Sequence, residues 1–310
     1  MSASRRVTLN DVAAASGVSR ATVSFVLNDD PRQTISAATR DRVRQAARDL
    51  GYVPHGVARA LREGASRVVI LTIDSSMEGN YSRSYVQGLD DELAAHGHVL
   101  LVRHGRDTPS ATQRVLDAIV PRAVIHFGES YLTGHELEDQ GRGWQDGLAA
   151  HCALQIRHLA ERGHTHMALA LPADGSPLGA ARLRFTGQAA RELGIPVPGS
   201  FVVPESRSAC DGAVATLLAG TPEVTAIAGF NDDVALRVLA SLRELGRSVP
   251  GDLAVIGFDD TEYGELAAPS LTTVHIDAEA HGRLGARIAL GLDTAGLRPV
   301  PARIIVRQSV

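Results

Sequence analysis

The chain has 310 residues, 44% of them hydrophobic and 21% charged, with a formal net charge of −4, which is ordinary for a globular protein long enough for more than one domain. No run of about 18 apolar residues occurs, which excludes a membrane-spanning helix, and the N-terminus lacks an apolar signal region, so a cytoplasmic protein is expected. Two cysteines, Cys152 and Cys210, are too few and too far apart for a disulfide framework or a zinc site.

Residues 7–28, VTLNDVAAASGVSRATVSFVLN, hold two short helical patterns joined by Gly-Val-Ser. Thr8, with Asp11 three positions on, predicts a capping box and a helix starting at Leu9. Gly17 ends it, because glycine tolerates the left-handed turn after a helix. Ser19 then caps a second helix on which Val23, Val26 and Leu27 share an inward face, leaving Arg20, Ala21, Ser24 and Phe25 outward. Such geometry fits a helix-turn-helix, and it equally fits a generic helical hairpin. Ser36 predicts a third helix with Val43, Ala46, Ala47 and Leu50 inward, stopped by Gly51.

Charge is unevenly spread. Residues 1–65 carry ten arginines against six acidic residues, a net +4, so the remaining chain is net −8. No lysine occurs, so every cationic contact must come from arginine or histidine. A basic head attracts phosphate while an acidic body avoids it.

Residues 53–66, VPHGVARALREGAS, form a linker whose central VARAL is too short for a stable isolated helix. From Arg67 onward, apolar runs alternate with amphipathic stretches, the pattern of βαβ units and parallel sheets. Strands are predicted at 67–73, 98–103, 122–127, 166–171, 200–203, 224–229, 253–257 and 303–307. Helices are predicted near 82–96, 109–118, 148–162, 180–193, 209–219, 232–245 and 277–291. IDSSMEG after the first strand is neither a Walker loop nor a dinucleotide fingerprint.

The ordered motifs, VTLNDVAAASGVSRATVSFVLN and TRDRVRQAARDLGYVPHGVARALREG, then ARLRFTG, FNDDVAL, VIGFDDTEYGELAAPSLTTV and IIVRQSV, resemble the LacI/GalR family of bacterial transcription regulators. The resemblance covers most of the chain and weakens between about 105 and 150. It implies a helix-turn-helix domain at 1–53, a hinge helix at 54–66 and an effector-binding, dimerising body at 67–310. That body would have the two-lobed periplasmic-binding-protein fold, crossed by the chain three times.

By this resemblance Arg20, Ala21 and Phe25 read base edges. Arg20 suits a bidentate guanine contact, and Phe25 departs from the arginine many relatives carry. Thr8, Ser19, Thr22, Ser24, Asn28 and Tyr52 are candidate phosphate contacts that set register. His55, Ala58 and Leu61 extend the DNA contact through the linker, with Leu61 as a minor-groove wedge; the alternative is a solvated tether with Leu61 packed on the body.

Arg184, Asn231 and Asp259 match positions where relatives hold small polar ligands, and their donors and acceptors together suit a polyol such as a sugar. Each has a structural alternative: Arg184 in an ion pair, Asp232 or Asp260 as helix caps. Trp144, the only tryptophan, is a candidate either to stack on a sugar ring or to plug a gap. The segment after the 122–127 strand departs from the family pattern: no further strand is evident, and Ala150 falls near the position of a usual aspartate.

The expected function is a homodimeric repressor of a near-palindromic operator, tuned by a small polar effector. With no heptad extension before Val310, a dimer is expected rather than a coiled-coil tetramer. No cofactor or metal is expected. The rival readings are a cytoplasmic ligand receptor without a regulatory role, and an enzyme. Against the enzyme, Asp232–Asp233 and Asp259–Asp260 are adjacent along the chain rather than opposed across a substrate, and neither HExxH nor G-x-S-x-G occurs.

Overall fold

The computed structural model describes residues 7–27, 33–52, 66–74, 79–105, 113, 115–116, 119–128, 147–297 and 299–310. The linker 54–65, most of the 109–118 helix and the candidates Asn28, His55, Ala58, Leu61 and Trp144 lie outside these residues. The chain divides into two compact units, Met1–Ser66 and Arg67–Val310.

The first unit holds α1 (Leu9–Ser16), α2 (Arg20–Leu27) and α3 (Ala37–Asp49). Asp11 accepts from both the Thr8 backbone N–H and the Thr8 hydroxyl at 2.7 Å, and Gly17 takes the left-handed φ of 66° that closes α1. Ser19 Oγ accepts from Thr22 N at 3.1 Å and Ser36 Oγ from Thr39 N at 3.3 Å, so hydroxyl caps begin the next two helices. Val12, Val23, Val26, Val43 and Ala47 form the buried core, with Leu27, Ala46 and Tyr52 packed against it. Arg42 Nε donates to the Ser16 carbonyl at 2.9 Å, tying α3 to the end of α1. Leu50 departs from expectation. It is the C-cap of α3 and 38% exposed, because the helix ends before its side chain can turn onto the core.

The second unit begins with β1 (Val68–Ile73), α4 (Asn80–Ala95), β2 (Val99–His104) and β3 (Ala123–His126). These strands form a parallel sheet in the order β2-β1-β3, the first lobe. After residue 147 come α5 (Leu148–Ala160), β4 (Met167–Pro172), α6 (Pro177–Glu192), β5 (Gly199–Val203), α7 (Arg207–Gly220), β6 (Ala226–Gly229), α8 (Asp232–Glu244) and β7 (Ala254–Ile256). Their strands form the parallel sheet β5-β4-β6-β7 of the second lobe. It is buried on both faces, as parallel sheets are, by one cluster containing Val214, Val234 and Val255 and another containing Ile156, Leu169 and Ile256.

The remaining elements are α9 (Glu262–Leu266), β8 (Thr273–His275), α10 (Ala278–Leu290) and β9 (Arg303–Ile305). Helix α10 returns to the first lobe, where Ala286 and Leu290 join Val69, Leu71 and Leu89 in one core. β9 pairs antiparallel with β8. The chain therefore passes between lobes three times: between β3 and α5, between β8 and α10, and between α10 and β9. Helix α9 and strand β8 were not expected from sequence; α9 is only 5 residues long, too short for helical periodicity to register, and β8 is a strand of 3 residues.

Helices α4 and α10 meet backbone to backbone. A Cβ on Gly88 would overlap the Glu279 carbonyl, and one on Gly282 would overlap the Tyr85 carbonyl. Gly282→Ala must therefore push the two helices apart. It is expected to lower stability by about 1–3 kcal/mol in denaturant unfolding of the full chain. An unchanged midpoint would contradict the close approach.

Candidate functional site

In the head, the first turn of α2 is the outward feature. Arg20 and Ala21 are exposed, while Thr22, Ser24 and Phe25 are half-buried beside the inward Val23 and Val26. No acidic residue lies in that first turn, so the helix N-terminus keeps its positive end uncompensated. The Ser19 and Thr22 hydroxyls lie 2.9 Å apart and engage each other. Tyr52 rests on the head core, with its backbone N–H on the Ala47 carbonyl at 2.9 Å. Thr8, Ser19, Thr22, Ser24 and Tyr52 thus serve the fold locally as caps, turns or packing, while Arg20 and Ala21 project from it.

In the body, the C-terminal ends of β6 and β7 carry the polar residues. Asn231 caps α8, its Oδ1 accepting from Val234 N at 2.9 Å, which leaves its amide nitrogen for other partners. Asp232 is no cap. It is fully buried and accepts from Phe258 N (2.8 Å), Thr261 N (2.6 Å), Thr261 Oγ1 (3.0 Å) and Thr273 Oγ1 (2.5 Å). Burial pushes its carboxyl above the usual carboxylate range, and those donors oppose the shift. Asp260 is likewise no cap: it pairs with His275 Nδ1 at 2.9 Å and Arg307 Nη2 at 3.0 Å.

Asp259 stands apart from these two. Its backbone has a positive φ of 94°, followed by 50° at Asp260, a conformation non-glycine residues rarely adopt and one that clusters at functional sites. From the first lobe, Asn80 Nδ2 donates to the Asp259 carbonyl at 2.8 Å, so the residue sits where the lobes meet. Among the described residues its carboxylate has no hydrogen-bond partner. Burial pushes it up to about 7, with the neighbouring Asp232 adding to the shift, Arg182 opposing it, Asp233 adding and Arg83 opposing.

Of the two arginines in ARLRFTG, Arg184 is the exposed one, its guanidinium 4.3 Å from the centre of the Phe185 ring. Arg182 is 1% exposed and was not singled out from sequence. It donates to Cys152 Sγ at 2.9 Å, to Gln155 Oε1 at 2.7 Å and to the Gly229 carbonyl at 3.0 Å, and lies 3.9 Å over Phe258. Gln155 adds bonds to the Gly229 and Gly257 carbonyls at 3.0 and 2.9 Å. The spacing offered only a partial signal: arginines two apart on one helix point to different sides and so cannot share one role, but the motif does not say which turns inward.

The remaining candidates are quieter. Both cysteines are buried, and burial raises the Cys152 thiol, which keeps it protonated and unreactive. Burial, helped by His281 and Arg182, lowers His151 to about 3, so it is neutral. Among the described residues no cluster of His, Cys, Asp and Glu could hold a metal, and no helix is long and apolar enough to cross a membrane. A groove of about 570 Å³ between α5 and α6 is lined by alanines and Phe185 together with His151, Arg157, Gln188 and Glu192, and includes neither Asn231 nor Asp259.

Comparison with known proteins places these features. Residues 8–55 match the bacterial regulatory proteins of the lacI family, and residues 156–310 match the periplasmic binding protein-like domain. The chain is 28% identical to the HTH-type transcriptional regulator CelR of Thermobifida fusca, covering 97% of this chain and 96% of that one. It is also 28% identical to the ribose operon repressor of Escherichia coli (strain K12), covering 89% and 90%. Among solved structures, the lac repressor dimer bound to operator and the anti-inducer ONPF superposes with a TM-score of 0.78 at 23% identity, covering 98% of this chain and 99% of that one. A complex of the regulator CelR with cellobiose gives 0.61 at 25% identity, covering 98% and 100%.

The Asp259 carboxyl gives a pH test. In the folded chain it holds its proton up to about 7, whereas an ordinary aspartate releases it near 3.8. Between those values the unfolded chain ionises first, so folding stability falls as pH rises through the window. Asp259→Asn cannot ionise and is expected to gain on wild type by at most about 4 kcal/mol between pH 4 and pH 8. Thermal melts of both chains across that range check it; parallel profiles would exclude the shift.

Proposed function

Because the chain belongs to the LacI family of bacterial regulatory proteins, we propose that it is a cytoplasmic, homodimeric transcriptional repressor, not an enzyme, that reads a near-palindromic operator with one head per half-site. The observation that carries this reading is the capped α2 with Arg20 exposed at its first turn, on a head of net positive charge. The Arg20 guanidinium has no partner among the described residues, which supports a contact with a base edge. In this reading Arg20 pairs with guanine, Ala21 and Phe25 offer apolar surface to thymine methyls, and Thr8, Ser19, Thr22, Ser24, Asn28 and Tyr52 meet phosphates. His55, Ala58 and Leu61 carry the contact through the linker, with Leu61 opening a base step.

The same proposal places a small polar effector, a sugar in the first instance, against Asn231, Asp259 and Arg184, with Trp144 as a stacking platform. The relatives named for ribose and solved with cellobiose support that class. Asn231 keeps its amide donors for a ligand, and Asp259 keeps both carboxylate oxygens. Effector occupancy would then be coupled to operator affinity by about 1–3 kcal/mol, in either direction. The paired aspartates do not support catalysis: Asp232 and Asp260 are engaged by the fold itself.

Selection of full-length protein against random duplex DNA at fixed salt is expected to enrich a two-fold-related site. Arg20→Ala should weaken that site by about 1–3 kcal/mol and relax preference at one base pair per half-site. Enrichment of no symmetric site would refute the reading; equal loss on selected and random DNA would refute the role of Arg20.

A further inference from the structure

Arg182 is a large cation placed where cations are rarely found. It is 1% exposed, and its partners among the described residues are neutral: a thiol, an amide oxygen, a carbonyl and an aromatic face. Its Nε makes no hydrogen bond. A buried guanidinium without a carboxylate in contact is costly, so something nearby must balance its charge. The groups around it are specific. Phe258, under the guanidinium, immediately precedes Asp259, and the Gly229 carbonyl it holds lies two residues before Asn231. Gln155 links the same arginine to Gly257 on the other strand end.

We propose that Arg182 is a positioning residue for the cleft: its buried guanidinium fixes the ends of β6 and β7 under Asn231 and Asp259, and its charge keeps the otherwise unpartnered Asp259 carboxyl able to ionise and accept hydroxyls. The proposal deepens the effector reading and rests on it only for what Asp259 receives; the coupling of Arg182 to Asp259 stands by itself.

The charged groups facing Asp259 come from three helices. Asp232 and Asp233 on α8 oppose its ionisation, while Arg182 on α6 and Arg83 on α4 of the other lobe favour it. Asp232, held by four donors, faces Asp259 and adds to its upward shift. Arg83 is exposed and screened by water, which leaves Arg182 as the cation in low dielectric. Losing it would strand Asp259 in the protonated form at neutral pH, a donor where an acceptor is needed.

The test is a titration of aspartate carboxyl carbons by NMR in the full-length, ligand-free protein, with Asp259→Asn identifying the resonance. Wild type is expected to show an aspartate with a midpoint near pH 7 that Asp259→Asn removes. Arg182→Gln should raise that midpoint by about half a unit or more, roughly a threefold gain in proton affinity. Arg182→Lys, which keeps the charge, should leave it within about 0.3 unit, roughly twofold. An unmoved midpoint in Arg182→Gln, or no such aspartate in wild type, overturns the role.

If Arg182→Gln is too unstable to titrate, melting curves at pH 8 decide. Asp259→Asn should then raise the melting temperature more in the Arg182→Gln background than in wild type, because the carboxyl's higher proton affinity there costs more stability at a pH where the unfolded chain is ionised. An equal gain in both backgrounds means a purely structural pin and overturns the proposal. Because neither DNA nor effector is present, these failures are separate from failure of the regulator reading, which the duplex selection reports.

Discussion

The Asp232 carboxylate organises the end of the second lobe. Its oxygens collect Phe258 N, Thr261 N, Thr261 Oγ1 and Thr273 Oγ1, so one side chain at the start of α8 fixes the turn after β7, the start of α9 and strand β8. Buried carboxylates are tolerated only when their lone pairs are satisfied, and here protein donors replace water completely enough to seal the turn. Everything that gives the cleft its chemistry follows from that turn. Asp259 takes its positive φ and projects unpartnered because the residues on either side of it are held, Phe258 by Asp232 and Asp260 by His275 and Arg307. Gly257 leaves no side-chain space to spare: a Cβ there would overlap Asp232 Oδ1.

The head was legible residue by residue because its signals are local. Thr8 with Asp11, Gly17, Ser19 and Ser36 each act within one helical turn, and each does in the structure what its side chain dictates. The alternating body was legible too, since parallel strands buried on both faces announce themselves as apolar runs. What escaped notice depends on contacts distant in sequence. Asp232 meets Thr273 across 41 positions and Arg182 meets Gly229 across 47, and no pattern in FNDD or ARLRFTG records either. Those motifs marked the right loops while misjudging the labour inside them. Asn231 rather than an aspartate caps the helix, Asp232 and Asp260 are tied into the fold, and the inward arginine is the one two positions before the motif's expected residue.

The two units differ in how they meet charge. The head carries exposed arginines over an aliphatic core of five buried residues, Val12, Val23, Val26, Val43 and Ala47, so its cations sit in water where salt screens them. The body keeps Asp232, His151 and Arg182 buried, with Asp259 half-buried beside them, and Arg182 acts on both Asp259 and His151. A regulator needs both regimes: screened, exchangeable attraction toward a polyanion, and unscreened interactions through which a small neutral molecule has electrostatic leverage.

The contact of α4 with α10 has a mechanical consequence. Gly88 and Gly282 bring main chain against main chain, with no flexible side chain between to absorb a displacement. The pair behaves as a stiff plank of about 24 Å, the length of the 16-residue α4. Asn80, which grips the Asp259 carbonyl, is the first residue of that plank, and Leu290 closes its other helix within the first-lobe core. Main chain so closely opposed gives a displacement at Asn80 no soft side-chain layer in which to be absorbed.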